Sequence, residues 1–148
     1  MTAVATNCTM DLVAKVAEVA ELEKRVFYVA SEEEVVERTK GMTYPCVGVV
    51  YHGIVATEEM GASGKSGDSA NLMVSLMLFF RQSTTAVNDP KDAGVELLDE
   101  IRQLILRTRS PTGHFWKLQL EVPVEGRRGV LLYLQRWSTP VQLTSSRR

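Results

Sequence analysis

Residues 70–82 read Ala-Asn-Leu-Met-Val-Ser-Leu-Met-Leu-Phe-Phe-Arg-Gln, and this run constrains the fold more than any other segment. Its residue types favour a strand, and it is apolar on both faces. A strand of that kind is central, or covered on both sides by packed layers. Residues 46–58, rich in Val, Ile and Tyr, predict a second strand. The glycine-rich stretch 61–67 joins them, so the pair is expected to form a long antiparallel hairpin with its tip near residues 59–69.

Helical periodicity frames this hairpin. From Met10 to about Lys24, the positions Leu12, Val13, Val16, Ala17, Ala20 and Leu22 follow one face, with Thr9 or Asp11 as candidate caps. Residues 1–8 are small and polar and predict a loose arm. Phe27 to Ala30 is short and β-favouring. Ser31 followed by Glu34 is a capping-box pattern that predicts a short acidic helix over 32–39, ended by Gly41. Thr43-Tyr44-Pro45 then pushes the chain into an extended conformation. Asp89-Pro90 is a helix start, and Leu97, Leu98, Ile101, Leu104 and Ile105 share a face of a helix running to about Arg107. Ser110-Pro111-Thr112-Gly113 stops it.

Residues 115–123 alternate, with Trp116, Leu118, Leu120 and Val122 on one side and Lys117, Gln119 and Glu121 on the other. That pattern predicts a half-buried strand. The turn Glu125-Gly126-Arg127-Arg128-Gly129 leads to a returning strand from Val130 to about Trp137, and Pro140 places its far end at an edge. The expectation is a single α+β domain over residues 1–148, in the order α-α-β-β-α-β-β. It has a mainly antiparallel sheet of about four strands with helices packed on it, and residues 144–148 as a loose tail.

A chain of 148 residues with 45% hydrophobic residues can bury a core without a covalent staple. Cys8 and Cys46 form no CxxC pattern and read as free thiols of a reducing compartment. No signal-peptide pattern and no membrane-length apolar run is present, which points to synthesis and assembly in a cytoplasm. The net charge of −1 conceals an asymmetry. Residues 1–100 hold 8 Lys/Arg against 16 Asp/Glu, whereas residues 101–148 hold 9 against 2. Opposite charges can neutralise one another within the domain, or acidic and basic surfaces can meet between identical subunits.

Chemical motifs are weak. Gly61-Ala-Ser-Gly-Lys-Ser66 resembles the end of a phosphate-binding loop, but Glu59 occupies the position of its first glycine and a strand follows. His52 and His114 have no neighbouring ligands at metal-site spacing. No serine lies in a nucleophile elbow. Asp99 and Glu100 are adjacent on a helix and point in different directions. Trp116 and Trp137 suit core or interface anchoring. The expectation is therefore no enzyme activity, no cofactor and no metal. Candidate interface residues are Lys65, Ser63, Ser66 and Asp68 at the hairpin tip, and Arg127 and Arg128 at the later turn.

The element order resembles that of phage tail terminator proteins. The likeness is carried by Thr43-Tyr44-Pro45-Cys46-Val47, by the strand through Leu76-Met77-Leu78-Phe79-Phe80, and by Leu97-Leu98-Asp99-Glu100-Ile101-Arg102, and it covers roughly residues 10–143. The resemblance implies a structural virion protein: a homohexameric ring that caps the tail tube and contacts a head-side connector or stopper protein. DNA would pass through the ring without specific binding. Another head–tail connector or neck protein is the alternative within the same class. A small nucleic-acid-binding or regulatory module is the alternative outside it.

Overall fold

A computed structural model of the chain describes residues 3–56, 67–81, 90–124 and 130–144. Its elements are α1 (Val4–Val16), a short 3-10 turn (Ala20–Leu22), β1 (Val26–Val29), α2 (Glu32–Thr39), β2 (Cys46–Ala56), β3 (Gly67–Arg81), α3 (Pro90–Arg107), β4 (Lys117–Val124) and β5 (Val130–Thr144). The class is α+β. The sheet has five strands rather than four, in the order β1-β2-β3-β5-β4. The added strand is β1, which pairs parallel to β2, while every other pairing is antiparallel.

β3 lies at the centre, as a strand apolar on both faces must. Val74, Leu76, Leu78 and Phe80 join a cluster with α1 and α3 on one face of the sheet. Met77 and Phe79 join a second cluster, with Val35 of α2, on the other. α3 supplies Leu97, Leu98, Ile101 and Ile105 as buried residues, and Leu104 is partly buried beside them. The predicted face of that helix is therefore the face that packs.

The N-terminal helix begins earlier than its periodicity suggests. Val4 already lies in α1, so the expected loose arm is helical there. Neither proposed cap serves. The Thr9 hydroxyl donates back to the carbonyl of Ala5 at 2.7 Å, and Asp11 sits mid-helix, paired with Lys15 at 2.8 Å. α1 ends at Val16, and positive φ at Glu23 (47°) and Lys24 (63°) turns the chain into β1. At α2 the capping box forms with one offset. The Ser31 hydroxyl accepts from the amide of Glu34, while the Glu34 carboxylate accepts from the amide of Ala30 rather than of Ser31.

β4 departs most from expectation. It carries a bulge: Leu118 faces Trp137 and Leu120 faces Arg136, so Gln119 is an extra residue. A bulge breaks strict alternation, which places Leu118 and Leu120 on opposite faces. Both are exposed, at 36% and 37%, and the strand is not half-buried. Trp116 alone of the expected set is buried, and it precedes the strand. β5 runs on to Thr144, past the expected end. Pro140 pairs with Asn71 of β3, but β4 reaches only as far as Ser138, so on its other side this stretch of β5 meets the turn before β4, whose Thr112 hydroxyl donates to the Pro140 carbonyl.

Candidate functional site

Among the described residues, the most heavily cross-linked surface segment is Thr108–Trp116, between α3 and β4. The helix ends where Lys15 reaches it. The Lys15 ammonium, 9% exposed, donates to the carbonyls of Thr108 (3.5 Å) and Arg109 (3.1 Å) while paired with Asp11. These carbonyls lie just past the end of α3 at Arg107, where the chain leaves helical hydrogen bonding, and the cation supplies a donor for them. Asp11 also accepts the indole N–H of Trp116 at 3.1 Å. One ion pair on α1 thus fixes both ends of the segment.

Its interior is held as firmly. The amide of Ser110 donates to the carbonyl of His114 at 2.7 Å, and the amide of Gly113 donates to that of Ser110 at 2.9 Å. Gly113 has φ 88°, which a residue with a side chain adopts only under strain. The hydroxyls of Ser110 and Thr139 lie 2.8 Å apart, and Thr112 donates to the carbonyl of Pro140 at 2.9 Å. The turn is tied to β5 by side chains that the sequence presents only as a helix stop.

This frame displays an aromatic and a cation to solvent. Phe115 is 49% exposed, and the Arg109 guanidinium lies 5.0 Å from its ring centroid. Arg107 and Lys117 are exposed on either side, and Leu106 and Leu118 flank them. Arg102, by contrast, is neutralised. It pairs with Glu121 and with Asp99, and although burial alone would lower its pKa, these carboxylates raise it. Glu121 also accepts from Gln135, whose carbonyl accepts from the Trp137 indole at 3.0 Å. That chain of contacts ties α3, β4 and β5 together.

The remaining chemical candidates lie apart. His52 sits at a bulge in β2 and His114 in the Thr108–Trp116 turn, both exposed. Asp99 is occupied by Arg102 and Gln103. Cys8 and Cys46 are free and fully buried, and burial raises each thiol to about 11; Asp11 adds to the effect at Cys8. No group of three or more potential metal ligands occurs among the described residues. No helix among them is long and apolar enough to cross a membrane.

Of the interface residues expected from sequence, Lys65, Ser63, Ser66, Arg127 and Arg128 lie outside the described residues. Asp68 belongs to β3, opposite Leu143, rather than to a hairpin tip, because β3 begins at Gly67. The structure instead brings forward Arg109 and Phe115. Asp11 and Trp116, which hold this segment, are 105 residues apart, and no local pattern links them. Comparison with known protein families and with curated proteins returns no match.

Proposed function

We propose that this chain is a structural subunit of a virion, a tail terminator that forms a ring on the tail tube and joins it to a head-side connector. The observation that carries this reading is the outer strand β4. It leaves Leu118, Leu120 and Val124 exposed at 36–37% along a sheet edge that no strand among the described residues covers. Exposed apolar side chains on an outer strand suit a surface that a neighbouring subunit covers. Supporting it are the α+β class, which is the class expected from the sequence, and the opposite charges of the first hundred residues and the remainder. The ring would be a hexamer, with no reaction and no cofactor.

The test is electron microscopy of particles assembled with and without the chain. Loss of the chain is expected to leave tails unjoined to heads, and its density is expected as a ring at the head-proximal end of the tube. Normal tailed particles without the chain would refute the reading. Density on the connector alone would assign it to the neck instead.

A further inference from the structure

Two surfaces on opposite faces of the sheet complement each other. β4 is one outer strand and β1 the other, and α2 packs on the β1–β2 side. Beside β4 stands the Thr108–Trp116 segment with Arg107, Arg109, Phe115 and Lys117, and residues 101–120 contain no Asp or Glu. On the other face, the first turn of α2 exposes Glu32, Glu33 and Glu34, and among the described residues Glu32 lies 4.0 Å from Arg136 of β5.

We infer that copies of this chain join head to tail through these two surfaces, with Arg109 and Phe115 of one subunit docking on the acidic first turn of α2 of the next. The inference rests on the ring-forming reading above and names the contact that would build it. A second copy fits because the chain itself supplies both charges, and because the Thr108–Trp116 segment packs with α1 on one face of the sheet while α2 packs on the other. A contact between unlike surfaces propagates from copy to copy and closes into a ring when the rotation permits. Arg and aromatic residues are the types that dominate interface energetics, and the hydrogen bonds around Ser110 hold this pair in place before binding, which lowers the ordering cost. Strand addition at β4 is disfavoured by its bulge and by Pro123, so side chains make the contact.

The experiment is sedimentation of the full chain over a concentration series, at low and high salt. It compares wild type with Arg109→Glu, with Glu33→Arg and with both together, and thermal melts verify that each variant folds. Each single substitution sets like charges against each other and is expected to weaken self-association at least ~10-fold. The combined variant is expected to recover most of that loss, and high salt to weaken the wild type. Single variants that associate as tightly as wild type would overturn this contact, while rings on tails would still stand. A wild-type chain that stays monomeric and gives no ring on particles would overturn the ring reading itself. Duplex DNA binding that Arg109→Glu abolishes, with self-association unchanged, would assign the patch to nucleic acid and overturn the contact.

Discussion

Ile101→Ala tests whether α3 braces the core. Ile101 is 1% exposed and belongs to the cluster that α3 and α1 form with one face of the sheet. Truncation removes three carbons, worth about 2.4 kcal/mol at about 0.8 kcal/mol each in transfer alone. The neighbours Leu97, Leu98 and Ile105 are fixed on the same helix, so the site collapses only in part. The residual cavity adds ~24 cal/mol per Å3, which brings the expected loss to about 3–4 kcal/mol. With a urea slope of about 2 kcal/mol per molar, the midpoint should fall by about 1.5–2 M at unchanged slope. Leu106, five residues on and 49% exposed, is the control, and its truncation should stay within about 0.5 kcal/mol. A loss below about 0.5 kcal/mol at Ile101, or an equal loss at both positions, would show that another face of α3 packs.

The seat of α2 is tested at Gly48. A Cβ there would stand 2.5 Å and 2.9 Å from the two methyl carbons of the fully buried Val35, so Gly48→Ala should cost about 1–3 kcal/mol in denaturant unfolding, and Val35→Ala in the same chain should recover part of it. Additive losses would place the clash elsewhere. The thiols predict alkaline sensitivity. Cys8 and Cys46 are raised from 9.0 to about 11 in the fold, so above about pH 9 the unfolded chain sheds protons that the native chain keeps. Stability present at neutral pH should therefore decline between about pH 9 and 11, by up to ~1.4 kcal/mol per pH unit per thiol, and Cys8→Ala with Cys46→Ala should flatten that slope in pH-dependent urea titrations. An unchanged slope would mean that the thiols already ionise in the native state.

Local signals in the sequence reached far into this fold. The capping serine at position 31, the Asp89-Pro90 start and the apolar face of residues 97–105 each act within one or two helical turns. A reader of the chain therefore has the whole interaction in view, and α2 and α3 appear where those signals put them. The doubly apolar run of residues 70–82 demanded cover on both sides, and β3 receives it from two separate clusters. The interface candidates were chosen by a different rule, glycine and charge at turns, which says what stays soluble but not what a surface presents.

What only the tertiary structure decided lies where distant segments meet. The β-favouring character of residues 27–30 is visible in the sequence, but that β1, four residues long, joins the sheet parallel to β2 is not. The apolar alternation of residues 116–122 predicted burial, yet it needed a covering layer and an unbroken register, and the bulge at Leu118–Leu120 together with the outermost position of β4 removed both. The turn after α3 read as a simple stop. It became a fixed platform because Lys15 and Asp11, some hundred residues earlier, supply the cation for its carbonyls and the acceptor for Trp116. Hydrogen bonds and charges act over a few ångströms of space regardless of separation along the chain, so the residues that shape this surface are set by packing rather than by spacing.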